Sequence, residues 1–235
     1  MTETLDLLRR VATATLSAQL HKRGYRDVSI EGVATNLPGT RLVGVARTLR
    51  LIPYRPDLFE RHGGGYNAQK RAFDSLRPGE VLVIEARGER AAGTLGDVLA
   101  ARAAYLGAAG IVTDGCVRDA TAVAAIGIPT YAAAPHPALI GRRHVPWETD
   151  VTVACGGAAV QPGDIIAGDD DGVLAIPPHL AQEVARAALA QELEERFISE
   201  MVSRGEPIDG LYPMNPAWRE RFATWRRRQS DVEDQ

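Results

Sequence analysis

Two stretches of the chain, GTLGDVLA at 93–100 and GIVTDGCVRD at 110–119, run through glycine turns into residues able to do chemistry. Asp97 opens one expected helix, and the adjacent pair Arg118 and Asp119 opens the next. In a strand–turn–helix unit both places fall at the carboxyl ends of strands, where open α/β sheets commonly bind ligands. Carboxylates there can hold Mg2+ through oxygen, directly or through water, and this ion needs few protein ligands. Helix N-termini add amides that can receive a substrate carboxylate. The Arg118 fork suits a carboxylate or a developing enolate oxygen. Position alone fits a second reading equally well: Asp97 and Asp119 stabilise helix dipoles as first-turn acids, and Arg118 is a surface charge.

The remaining reactive residue types narrow the chemistry. Only Lys22 and Lys70 are lysines among 27 basic residues, and neither lies in an apolar setting that would depress an ammonium pKa. Carbon–carbon chemistry beside a carbonyl would therefore need a metal ion or an arginine to hold the enolate. Five scattered histidines show no zinc-ligand spacing. Cys116 and Cys155 form neither a CxxC pair nor a disulfide framework, which suits a reducing compartment, and each reads as a small buried thiol. Asp169-Asp170-Asp171-Gly172 reads as a hairpin turn in preference to an acidic metal loop. Asn67 and Gln69 follow three glycines in RHGGGYNAQKR, which lacks the GK[ST] of a phosphate loop.

These residues need a frame to hold them. The chain has 235 residues, 45% of them hydrophobic and 24% charged, which is an ordinary globular mixture. A net charge of -3 gives no electrostatic reason to expect nucleic acid. No apolar run approaches the roughly 20 residues of a membrane helix, and the N-terminus lacks a secretory pattern. A cytoplasmic protein is expected, with no membrane partner. Residues 4–23 predict one amphipathic helix, and 41–52 a strand. From Glu80 a rhythm sets in: strand 81–86, helix 96–107, strand 110–115, helix 118–127 and strand 129–134. This alternation predicts an α/β layer with a largely parallel sheet. The Gly/Pro/Asp-punctuated stretch from Val145 to Pro177 predicts antiparallel hairpins on the same body. A long helix is expected from Pro178 to about Arg204. Then comes PAWRERFATWRRR, whose Trp218, Phe222 and Trp225 form a stripe in need of a partner surface. SDVEDQ reads as a frayed tail.

The run GD-x-LA-x(5)-Y-LGAAGIVTDGCVRD, then IPTYAAA and GDIIAGDDDGVLAIP, resembles the family of ribonuclease activity regulator A and the 4-hydroxy-4-methyl-2-oxoglutarate aldolases. The similarity covers most of 12–205, and the spacing of 21 from Asp97 to Arg118 fits that family. It implies a single-domain layered α/β/β/α, swivelling-domain-like fold with mixed sheets over 1–205. A C-terminal helical extension and tail would occupy 206–235. It further implies that Asp119 binds Mg2+ or Mn2+ and that Asp97 supports the ion through water. Arg118 would hold the pyruvyl oxygens, and the backbone of Gly96, Val98 and Leu99 would receive the carboxylate. A 4-hydroxy-2-oxo acid or oxaloacetate would then be cleaved through a pyruvate enolate.

Two points stand apart from the aldolase pattern. Ala122 occupies a position where the family often has an acid three residues after the aspartate. The aldolases also borrow a glutamate from a neighbouring subunit's C-terminal helix, for which Glu192, Glu194 and Glu195 are candidates and the alignment prefers Glu195. That loan implies a homo-oligomer, a trimer or hexamer. The same resemblance carries another function, a non-catalytic regulator that binds a ribonuclease; the appended helices favour the enzyme. Residues 206–228 extend beyond the typical aldolase and are compatible with sugar-acid substrates on the same scaffold.

Overall fold

The computed structural model describes residues 2–233, with side chains to Gln229. It forms two compact units, Met1–Ala185 and Arg186–Gln235, which divide inside a long helix. Thirteen strands are described: β1 Ala34–Thr35, β2 Leu42–Pro53, β3 Glu80–Glu85, β4 Gly93–Leu95, β5 Gly110–Thr113, β6 Cys116–Val117 and β7 Thr130–Ala132. They continue with β8 Ala134–Pro135, β9 His144–Thr149, β10 Val153–Cys155, β11 Ala158–Val160, β12 Ile165–Asp169 and β13 Gly172–Ile176. The helices are α1 Thr2–Leu8, α2 Thr13–Lys22, α3 Pro56–His62, α4 Ala68–Asp74, α5 Asp97–Tyr105, α6 Ala120–Ile126, α7 Pro178–Ser203 and α8 Pro216–Glu233.

The large sheet has the order β1-β7-β5-β3-β2-β12-β13, with β9 also paired to β2. Its centre, β2, β3, β5 and β7, is parallel, and its flanks are antiparallel, so the sheet is mixed as expected. The unbroken apolar run of β3 is explained by burial on both faces. Leu82 and Ile84 join Leu49, Phe73, Ile111 and Val123 in one core cluster. Val81 and Val83 join Val112, Tyr131, Ile166 and the β10–β11 hairpin in another. Helices α4, α5 and α6 supply residues to the first cluster, while α2 packs against β12 and β13. The fold is therefore layered α/β, with the two hairpins β10–β11 and β12–β13 where the turn residues predicted them.

A second, three-stranded parallel sheet, β4-β6-β8, was not foreseen, and it positions the site. The chain leaves β5 and β7 in the large sheet and passes within a few residues into β6 and β8 in the small one. The expected strand over 129–134 is accordingly two strands in different sheets. At the crossing the Ala133 amide donates to the Gly115 carbonyl at 2.9 Å.

Two terminal expectations also change. The expected helix over 4–23 is broken between α1 and α2. The Thr13 amide donates to Asp169 at 2.9 Å and its hydroxyl donates to the same carboxylate, so a distant acceptor starts a new helix there. SDVEDQ begins inside α8, whose backbone is helical to Glu233; its last two residues lie outside the described ones. In the second unit the stripe of α8 finds its partner: Trp218, Phe222 and Trp225 surround Phe197, with ring centroids 5.5–6.1 Å apart. No helix among the described residues is long and apolar enough to cross a membrane.

Candidate active site at the ends of three short strands

Strands β4, β6 and β8 end side by side at Leu95, Val117 and Pro135. The Arg118 amide donates to the Leu95 carbonyl at 2.8 Å, and the His136 amide to that of Val117 at 2.8 Å, so backbone bonds fix where each strand releases its chain. Strand β4 runs into Gly96, the N-cap of α5, and then into Asp97 in the first turn of that helix. Strand β6 runs into Arg118 and then into Asp119, the N-cap of α6.

Asp119 has left-handed backbone angles, φ 53° and ψ 39°, and its side chain makes no capping hydrogen bond. Aspartate reaches this conformation more readily than most residues, but at a cost, and such strain clusters at functional sites. The capping alternative weakens for this residue, because its carboxylate is held out of the capping role by its own backbone. Two glycines make room for the pair. A Cβ on Gly93 would lie 2.3 Å from Arg118 Cγ, and one on Gly96 would lie 2.6 Å from Asp119 Oδ2.

These residues line one cavity of about 220 Å3, with Gln69, Thr94, Val98, Leu99, Leu139 and Ile140 completing its walls. Among the described residues, Asp97, Arg118 and Asp119 are its only ionisable groups. Arg118 Nε donates to the Pro137 carbonyl at 3.1 Å, which anchors the guanidinium by one edge and leaves its two terminal nitrogens for a ligand. Gln69 is buried and donates to the Thr94 carbonyl, which braces β4 from behind. The Val98 amide, expected to receive a substrate carboxylate, donates instead to Asp97 Oδ1 at 2.8 Å. Asp97 thus occupies with its own carboxylate one place the substrate was expected to take; the first-turn amide of Leu99 has no intrahelical acceptor.

Each of the other candidate residues has its own setting. Glu195 is on α7 in the second unit and accepts from Gln191 at 2.8 Å. Among the described residues no three His, Cys, Asp or Glu side chains gather as a metal site. The acidic run at 169–171 is structural: Asp169 takes Thr13, and Asp170 takes the Gly39 amide at 2.9 and 3.0 Å. Asn67 caps α4 by accepting from the Lys70 amide at 3.1 Å. Burial raises the Cys116 thiol pKa, and Cys155 is pushed well above its ordinary value by the same cause, so neither is a ready nucleophile. Leu139 and Ile140 were missed because they arrive from a turn after β8 that carries no motif. Their nearest sequence signal is Gly141, whose Cβ would meet the Phe59 ring at 2.5 Å.

Residues 13–175 match the family model described as RraA-like, Aldolase/RraA. The chain belongs to the RraA-like family. Among its relatives is a Halalkalibacterium halodurans protein named "Putative 4-hydroxy-4-methyl-2-oxoglutarate aldolase", 33% identical over 69% of this chain and 74% of that one. Among solved structures, Streptomyces coelicolor RraAS2, described as an unusual member of the RNase ES inhibitor RraA protein family, superposes with a TM-score of 0.77. It is 36% identical over 83% of this chain and 94% of its own. An uncharacterized protein of Pseudomonas syringae pv. tomato superposes at 0.81, with 28% identity over 92% and 95% of the two chains.

Proposed function

We propose that this RraA-like protein is a divalent-metal-dependent carbon–carbon lyase that cleaves a 4-hydroxy-2-oxo acid or oxaloacetate through a pyruvate enolate. The observation that supports it is the convergence of Asp97, Arg118 and a strained, uncapped Asp119 in one small cavity.

The donor set fits a hard divalent cation. Two carboxylates in one open pocket suit Mg2+ or Mn2+, which keeps several waters and needs few protein oxygens. Asp119 would hold the ion directly and Asp97 through water, with Glu195 of a neighbouring copy as a further donor in a trimer or hexamer. When bound, such an ion polarises the 2-oxo carbonyl. Arg118 binds the pyruvyl oxygens with its free terminal nitrogens and stabilises charge that develops on the C2 oxygen. Its Nε–H bond to Pro137 fixes the fork before substrate arrives, so that little ordering is left for the transition state. The Leu99 amide receives the substrate carboxylate, joined by that of Val98 once Asp97 turns toward the ion. Schiff-base catalysis has no candidate here: Lys70 is exposed and bonded to the Gly65 carbonyl, and Lys22 ends α2 on the surface.

The test is pyruvate release from oxaloacetate and from 4-hydroxy-4-methyl-2-oxoglutarate, with Mg2+ and with EDTA. Asp119→Asn, which keeps a residue tolerant of the left-handed backbone, is expected to remove the metal-dependent part. Turnover unchanged in EDTA and in Asp119→Asn would reject the reading. Full activity in a species that light scattering shows to be monomeric would reject the shared Glu195. The similarity to RraAS2 supports a second reading, binding and inhibition of a ribonuclease; purified protein that slows ribonuclease cleavage while releasing no pyruvate would favour it.

A further inference from the structure

Beside the three charged groups of the cavity, its lining includes the apolar residues Val98, Leu99, Leu139 and Ile140. Ile140 packs on the main core, and the Gly93 amide holds the Ala138 carbonyl at 3.0 Å, so the 138–140 segment is fixed from both ends. Leu139 stands 64% exposed and Val98 75% exposed, so both present apolar surface beside the charged groups. Among the described residues no second arginine, lysine or histidine lines the cavity.

The charge balance follows from this lining. Two aspartates, one arginine and a divalent ion leave a single positive charge at most, and none once Glu195 of a neighbouring copy joins them, so one substrate carboxylate uses up all that the site offers. A second carboxylate on C4 would find no cation of its own and would lose water against Leu139 and Val98. An alkyl or aryl group in the same place would bury apolar surface instead.

We infer that the site takes 4-hydroxy-2-oxo acids with one carboxylate and an apolar substituent on C4, and that Leu139 and Val98 select that substituent. The inference rests on the lyase reading above. In the reaction the C4 hydroxyl gives up its proton and becomes an aldehyde carbonyl as the C3–C4 bond breaks. The bond's electron pair passes into the enolate, and C3 takes up a proton to give pyruvate. From 4-hydroxy-2-oxohexanoate the products are propanal and pyruvate, with no change of oxidation state overall and no co-reactant.

The experiment compares 4-hydroxy-2-oxohexanoate with 4-hydroxy-2-oxoglutarate on the full-length protein with Mg2+, reading pyruvate. The expected kcat/KM favours the hexanoate by about tenfold or more, the range a single pocket contact provides. Leu139→Arg is expected to move the ratio toward the glutarate by a similar factor; because Leu139 is exposed, the variant should fold, and its melting temperature checks this. A wild-type preference for the glutarate, or equal rates, overturns the inference and leaves the lyase reading standing. A ratio unmoved in folded Leu139→Arg overturns the role of Leu139. No metal-dependent pyruvate from either acid overturns the inference, and none from oxaloacetate as well removes the lyase reading with it.

Discussion

Gly96→Ala is the sharpest perturbation the site offers, because it adds one methyl group and changes no charge. Gly96 has φ -137° and ψ -170°, which any residue adopts, so the backbone contributes no strain. The whole effect falls on the new Cβ, which would lie 2.6 Å from Asp119 Oδ2. An ordinary carbon–oxygen contact is about 3.3 Å or more, so the carboxylate must move by about 0.7 Å. Asp119 has no capping bond to restrain it, so its carboxylate yields and leaves the position in which it would hold an ion. Misplacement on this scale costs up to about 100-fold in rate. The half-saturating Mg2+ concentration for pyruvate release is expected to rise by about tenfold or more, with kcat/KM falling in parallel. Alanine is also a poorer N-cap than glycine, by about 1 kcal/mol, which lowers the melting temperature by only about 2–4 °C. The assay is a Mg2+ titration of pyruvate release, coupled to its reduction by lactate dehydrogenase, with thermal melting as the control. A variant with wild-type Mg2+ dependence and rate would refute the idea that Asp119 holds the ion in the position seen here.

Three further predictions concern the scaffold. Asp169→Ala removes the acceptor of both Thr13 bonds and of the Asp171 amide at 3.0 Å, and should cost about 2 kcal/mol, or about 4–8 °C in melting temperature. Burial pushes the Asp169 carboxyl up, but the Thr13 hydroxyl and amide, the Asp171 amide and Arg41 outweigh it and hold the pKa below its ordinary value. Its contribution to stability is therefore present above the unfolded pKa and lost as pH falls through the folded one, so Asp169→Asn should melt with less dependence on pH below about 4. His144 is fully buried, its Nε2 has no partner among the described residues, and burial, with Arg87 alongside, lowers its pKa to about 4. The unfolded chain takes up this proton first, so stability should fall as pH drops from about 6.5 toward 4. His144→Leu should flatten that part of the melting-temperature profile; an unchanged slope would show that His144 is not the group responsible.

The long elements were legible because their patterns extend over enough residues to declare a period. Strand β2, strand β3, α5 and α7 all fall within a few residues of their expected limits. The illegible elements are short. Strands β4, β6 and β8 have three, two and two residues, too few for any alternation, yet they hold the site. Asp97, Arg118 and Asp119 could be named from two turns, and the structure does bring them together. Gln69 could be picked out from the glycine-rich stretch before it, but Leu139 and Ile140 could not, since they reach the cavity from a segment without a motif. The break between α1 and α2 was hidden for a related reason: no glycine or proline marks it, and its cause lies at the far end of the fold.

That cause sets a clock. The first turn of α2 is closed by a carboxylate 156 residues further along the chain. At ordinary rates of synthesis Asp169 emerges about 10–30 s after Thr13. Through that interval Leu16 and Leu20, fully buried in the finished fold, have neither the cap of their helix nor the β12–β13 hairpin beneath them. Helix α2 is made early and completed late. Nascent chains arrested before Asp169 should be open to protease between 13 and 22, and those extended well past Ile176 should be protected.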